Sequence, residues 1–97
     1  MKYPSKIEYI GRFEHYSNKE EGEYWVITFP DVSGCVTQGY TFKEAVEMAK
    51  EALALILTVY VDNKEKFPEA KFKLRKITKR TKTKKIVLTL DEIMKCL

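Results

Sequence analysis

Ninety-seven residues, 44% of them apolar and 33% charged, are enough for one modest hydrophobic core and too few for two. No apolar run approaches the ~20 residues that cross a bilayer, and none follows Lys2, so neither a membrane span nor a secretory leader is expected. The net charge of +4 hides a segregation: eleven of the eighteen basic residues lie between Lys64 and Lys85, opposed only by Glu65 and Glu69, which leaves +9 there and −5 elsewhere.

In chain order, Tyr3 to about Glu14 reads as a first strand, with Ile7, Tyr9 and Gly11 alternating with Glu8, Ile10 and Arg12. Ser17 to Gly22 is polar and suits a hairpin loop. Glu23 to Phe29 is the clearest strand. Tyr24, Val26 and Thr28 face one way and Trp25, Ile27 and Phe29 the other, which predicts a central position. Pro30 and Asp31 end it, Gly34 makes a turn, and Cys35 to Gln38 forms a short third strand. Gly34 and Gly39 sit where the chain must bend, and each can take a positive φ.

A long helix follows. Thr41 and Glu44 have the spacing of a capping box, in which the Thr41 hydroxyl accepts from the Glu44 N–H and the Glu44 carboxylate from the Thr41 N–H. Phe42, Ala45, Val46, Ala49, Leu53, Ile56 and Tyr60 make one apolar face. Met48, Ala52, Leu55 and Val59 make a second. A helix apolar on two sides must be covered twice. The second stripe is a wide core contact, a face over which the tail folds back, or an oligomer interface.

Asp62 and Asn63 end the helix, and Pro68 prevents its continuation. Ala70, Phe72 and Leu74 alternate with Lys71, Lys73 and Arg75, predicting a fourth strand whose lysines guard a sheet edge. Thr78 to Lys85 has no apolar residue and reads as an exposed linker. Ile86 to Leu90 is a short strand, and Asp91 is placed to cap a helical stub ending at Leu97. The expected fold is α+β: a two-layer β-β-β-α-β antiparallel sheet with one long helix, plus a short C-terminal strand and helical stub. The expected division is an α/β domain over residues 1–78 and a basic linker with its short strand and helix over 79–97, a truncated DNA-binding element at most.

Catalytic chemistry is hard to assemble from these residues. His15 is the only histidine and sits beside the hairpin loop. Asp31 serves a turn, Glu44 a cap and Glu47 the solvent face, which exhausts them as a metal-binding cluster. Gly34 and Gly39 form no phosphate-cradling loop. Cys35 and Cys96 are far apart and have no metal-site spacing, so reduced thiols in a cytoplasmic protein are expected. A protein without catalysis, metal or cofactor follows.

The stretch Tyr24-Trp25-Val26-Ile27-Thr28-Phe29-Pro30-Asp31-Val32-Ser33-Gly34-Cys35-Val36-Thr37-Gln38-Gly39, followed by Thr41-Phe42-Lys43-Glu44-Ala45-Val46, resembles the HicB family of antitoxins. The resemblance reaches from about Ile7 to Ile77 and rests on Pro30, Asp31, Gly34, Gly39, Thr41 and Glu44. It implies a partial RNase-H-like fold without the nuclease acids. It also implies a partner, a small basic RNA-cleaving toxin of the HicA type, whose active site the antitoxin covers. Dimers or tetramers, and often a C-terminal element that binds the promoter, are further implied. Here the strand and stub after Lys85 could begin a ribbon-helix-helix, but no second helix completes it. The alternative reading is a stand-alone nucleic-acid-binding protein acting through residues 71–85, with Arg75, Lys76, Lys79, Arg80, Lys82 and Lys84 on phosphates. Tyr24 and Trp25, which could stack on bases, lie outside that segment.

Overall fold

The computed structural model describes residues 2–74 and 78–97. In order along the chain it contains β1 (Lys6–Asn18), β2 (Gly22–Thr28), β3 (Val36–Gly39), α1 (Phe42–Asp62), β4 (Thr81–Thr89) and α2 (Leu90–Met94). The strands form one antiparallel sheet in the order β3-β2-β1-β4. The α+β two-layer arrangement read from the sequence is therefore the observed one.

The two periodicities meet in the core. Ile7, Tyr9 and Phe13 of β1, Ile27 of β2, and Ile86 and Leu88 of β4 are buried on the side that receives Ala45, Ala49, Leu53 and Leu57 of α1. Register keeps these side chains together: Phe13 lies opposite Ile27, Tyr9 opposite Ile86, and Ile7 opposite Leu88. The other sheet face, with Ile10, Arg12, Glu14, Val26 and Val87, has no helix over it among the described residues. At the start of α1 the Phe42 ring sits 5.1 Å from Phe13 and 5.2 Å from Trp25, centroid to centroid.

The predicted fourth strand over Ala70–Leu74 is absent; that stretch is an irregular strap. Side chains hold it in place of a ladder. The Tyr9 hydroxyl donates to the Pro68 carbonyl at 2.6 Å, and the Tyr3 hydroxyl donates to the Glu65 carbonyl at 2.8 Å. One oxygen of Asp31 accepts from the backbone N–H groups of Lys71 and Phe72 at 2.9 and 2.8 Å. The place beside β1 belongs instead to Thr81–Thr89, which includes most of the stretch read as a linker. Its first half lacks apolar side chains but has β-branched Thr81 and Thr83, which suit a strand. Lys82 sets its ammonium over the rings at the core edge, with Nζ 5.5 Å from the Trp25 centroid and 5.0 Å from that of Phe42.

The C-terminal stub is part of the same body. Ile93 of α2 is fully buried in the common core. Its cap is Thr89, not Asp91: Thr89 Oγ1 accepts from the Glu92 N–H at 3.2 Å, and Glu92 Oε1 accepts from the Thr89 N–H at 3.1 Å. At α1 the Thr41 hydroxyl accepts from the Glu44 N–H at 3.0 Å, the first of the two bonds expected there.

The two glycines of the motif do different work. Gly34 has φ +80°, as a turn glycine should, whereas Gly39 does not have a positive φ. A Cβ on Gly39 would lie 2.7 Å from the Ala45 nitrogen and 2.8 Å from its Cα. Helix and strand backbones therefore touch at this point. Gly39→Ala is expected to destabilise the fold by ~1–3 kcal/mol in urea unfolding, since a backbone must move to admit the methyl. Gly22→Ala meets nothing within 4 Å and carries only the strain of φ +73°, so a smaller loss of ~1 kcal/mol is expected. Asp31→Ala should speed amide exchange at Lys71 and Phe72 by at least ten-fold while costing less than ~2 kcal/mol globally, because it frees the strap and leaves the core intact.

Candidate functional site

The turn chemistry between Pro30 and Glu44 builds a corner, not a reactive centre. Phe29 N–H donates to the Cys35 carbonyl at 3.3 Å, and Val32 N–H to the Phe29 carbonyl at 3.0 Å, which closes the turn around Pro30 and Gly34. Val32 and Cys35 point into the core. Burial pushes the Cys35 thiol up to about 11, so it is held as a neutral thiol and not as a nucleophile. Burial, then the neighbouring Tyr60 and Asp31, pushes the Tyr9 phenol up to about 12, which keeps its proton available for Pro68. Among the described residues no three His, Cys, Asp or Glu side chains are grouped to hold a metal ion.

What remains available is surface. On α1 the second apolar stripe is uncovered in its lower half: Leu55 and Val59 are exposed, and Met48 and Ala52 are half-buried. Ala52, Leu55, Ile56 and Val59 face Gly34, Cys35 and Val36 across a shallow groove of about 330 Å³. Neither the strap nor α2 covers Leu55 or Val59. The sequence pattern identified the stripe but not its other wall, because Val36 reaches it only through the turn at Gly34.

The basic candidates divide. Arg75 and Lys76 lie outside the described residues. Lys79 and Arg80 are exposed in the turn before β4, and Lys84 is exposed on the strand itself. Lys82 is half-buried over Trp25 and Phe42, so its ammonium already has aromatic partners. Lys85 approaches Glu8 at 3.7 Å on the open sheet face. The fold also brings together groups that are distant in sequence. His15 N–H donates to the Arg80 carbonyl at 2.7 Å, and the His15 ring lies 4.8 Å from Trp25. His15 is thus a half-buried strand residue, in place of the loop-side surface position expected for it.

The acidic groups are elsewhere. Glu20, Glu21 and Glu23 crowd the β1–β2 hairpin, and Glu44, Glu47 and Glu51 project from α1, all six exposed. Among the described residues no helix is long and apolar enough to cross a membrane.

Residues 13–95 match the family described as HicB_like antitoxin of bacterial toxin-antitoxin system. Over 68 residues, 70% of this chain, the sequence is 40% identical to Antitoxin HicB 1 and 35% identical to Antitoxin HicB 2 of Photorhabdus laumondii. The chain spans 37% and 41% of the length of those two relatives. It is also 40% identical to UPF0150 protein Ta0767 of Thermoplasma acidophilum over 50 residues, 52% of this chain and 72% of that one. A chain of the solved Toxin-Antitoxin complex from Streptococcus pneumoniae shares the fold, with a TM-score of 0.73 at 16% identity over 90% of this chain and 71% of that chain. The family match takes in all or part of every strand and helix described above, and on that ground this chain belongs to the HicB-like antitoxin family.

Proposed function

We propose that this protein neutralises a small, basic, RNA-cleaving toxin of the HicA type in the cytoplasm by lying over the toxin's RNA-binding active site. The observation that carries the reading is the family match through residues 13–95, which takes in the whole helix layer and most of the sheet. The charge distribution supports it. A ribonuclease must present positive charge to hold RNA, and the exposed carboxylates of Glu20, Glu21, Glu23, Glu44, Glu47 and Glu51 give it a surface of opposite sign. The antitoxin needs no reactive group for this, only a fit. In the same reading the β-β-β-α order corresponds to a partial RNase-H-like fold that has kept the scaffold and not the nuclease acids.

The test uses a purified HicA-type toxin and a structured RNA substrate. An equimolar amount of the antitoxin should abolish cleavage, and the antitoxin alone with Mg²⁺ or Mn²⁺ should leave the RNA intact. Undiminished cleavage at several-fold excess of antitoxin would overturn the reading. Changing Glu20, Glu21 and Glu23 together to Gln should slow association by about ten-fold at low salt, with little effect near 0.5 M salt, because rim charges act mainly on the association rate.

A second reading, binding to nucleic acid, is favoured by one observation: Lys79, Arg80 and Lys84 are exposed along one edge of the sheet. The binding would be electrostatic and indifferent to sequence. Phosphate contacts position a protein, and the strand and helix that could have read bases, β4 and α2, are packed into the body. Changing Lys79, Arg80 and Lys84 to Gln, with Lys82 kept for its packing on Trp25, should lower the log–log salt slope on duplex DNA by about 0.9 for each phosphate no longer neutralised. A parent protein with no measurable affinity for duplex DNA at low salt would dismiss this reading.

A further inference from the structure

Two strands outrun the rest of the sheet at one end. β4 pairs with β1 only as far as Glu14, and β3 pairs with β2 only as far as Trp25. Beyond them β1 and β2 continue as a two-stranded arm, with Tyr16 opposite Tyr24, Ser17 opposite Glu23 and Asn18 opposite Gly22. A lone hairpin holds poorly in water, so its own side chains must close it. Asn18 Oδ1 accepts from the Glu21 N–H at 2.6 Å. The Tyr16 and Tyr24 rings stack across the strands, centroids 5.7 Å apart and planes 20° from parallel.

Alternation along the strands puts both rings on the sheet face away from α1, the face of Ile10, Arg12, Glu14 and Val26. Tyr16 is 44% exposed and Tyr24 half-buried, and both lie outside the core. Charge then selects what can lie against them. Residues 14–24 carry four carboxylates, Glu14, Glu20, Glu21 and Glu23, against Lys19 alone. Glu14 stands beside the rings: its Oε2 accepts from the Tyr16 hydroxyl at 3.3 Å, and Arg12 approaches its other oxygen at 3.6 Å. Among the described residues Glu20, Glu21 and Glu23 have no ion-pair partner.

Resting on the toxin reading, we propose that the basic toxin docks on this open sheet face at the arm, with Tyr16 and Tyr24 as the anchor and the arm's carboxylates as the rim. Charge complementarity identifies the occupant. A guanidinium or ammonium leaving water is best received by a ring face and a carboxylate together, and the arm holds both. Tyrosines on an open sheet also suit unpaired bases, but each phosphate would have to approach these carboxylates. The other acidic surface is a poorer seat. Glu44, Glu47 and Glu51 belong to the opposite layer and stand among the exposed Lys43 and Lys50, so their part is attraction at long range. Anchor and rim act on different steps: buried aromatic contacts set how long a complex lasts, and rim charges set how fast it forms.

The measurement is the pair of rate constants for binding of the full chain to a purified HicA-type toxin. Tyr16→Ala and Tyr24→Ala should each raise the dissociation rate by about 30-fold and change the association rate by less than about three-fold. Tyr24→Phe keeps the ring and should stay within about three-fold of the parent in both rates. Hydroxyl-radical footprinting of the parent needs no variant: bound toxin should lower the oxidation of Tyr16 and Tyr24 and leave that of Leu55 on α1 unchanged. Dissociation rates that neither alanine moves, or protection of Leu55 with both tyrosines still labelled, would overturn the docking face and leave the toxin reading standing. A parent chain that does not bind the toxin would overturn both. A single-stranded RNA of about 12 nucleotides, held by the parent and released by Tyr24→Ala, would overturn the proposal by giving this face to nucleic acid.

Discussion

The approach of Gly39 to the first turn of α1 is the contact on which the rest of the molecule depends. With no side chain between them, the backbones of β3 and α1 touch at Ala45, where an added methyl would lie 2.7 Å from nitrogen. Two residues, Tyr40 and Thr41, then suffice to carry the chain from strand to helix, and the Thr41 hydroxyl closes the first turn at the Glu44 N–H. Phe42 wedges against Phe13 and Trp25 at the same end. A helix held there has little choice of direction. Its face of Ala45, Ala49, Leu53 and Leu57 falls on the sheet, and the adjoining stripe hangs beside the β3 edge. The exposure of Leu55 and Val59 is thus a consequence of where the helix is anchored, as much as of its sequence.

Where the hydrophobic period is strong the sequence shows the structure directly. The alternation through Ile7 to Phe13, the two-sided pattern of Glu23 to Phe29, and the helical spacing from Phe42 to Tyr60 are all legible, and so is the helix end at Asp62. The basic third of the chain misleads. There the alternation of Ala70, Phe72 and Leu74 with charged residues imitates a strand, and Thr81 to Lys85 has no apolar residue to announce one. Two effects reverse the reading. Asp31, forty residues away, takes the N–H groups of Lys71 and Phe72 that a ladder would need. Lys82 sets its ammonium over the rings of Trp25 and Phe42, so a charged residue serves where an apolar one would be sought. Neither effect is visible without the fold, since both join residues distant in sequence.

The same holds for the candidate site. Asp31 reads as a turn residue, and it is one, but its carboxylate also ties the strap that leads to β4. Glu44 and Gly39 are legible as the start of a helix. Val36 is not legible as part of the apolar patch, because a strand residue gains that neighbour only through the corner at Gly34. Residues that look like chemistry in the sequence are therefore architecture here: Cys35 is a buried thiol, Tyr9 a buried donor, and His15 a ring packed beside Trp25.

Charge is sorted by place as well as by sign. A 97-residue body with acids on one hairpin and helix and bases along one sheet edge has a strong internal asymmetry at a net charge of only +4. Such a molecule presents faces of different charge in different places. The carboxylates suit a cationic protein, and the lysine-rich edge resists strand pairing and admits phosphate. The uncharged corner between β3 and α1 suits neither, since it offers no charge to meet. Only a surface equally free of charge can lie against it without desolvating an unpaired ion.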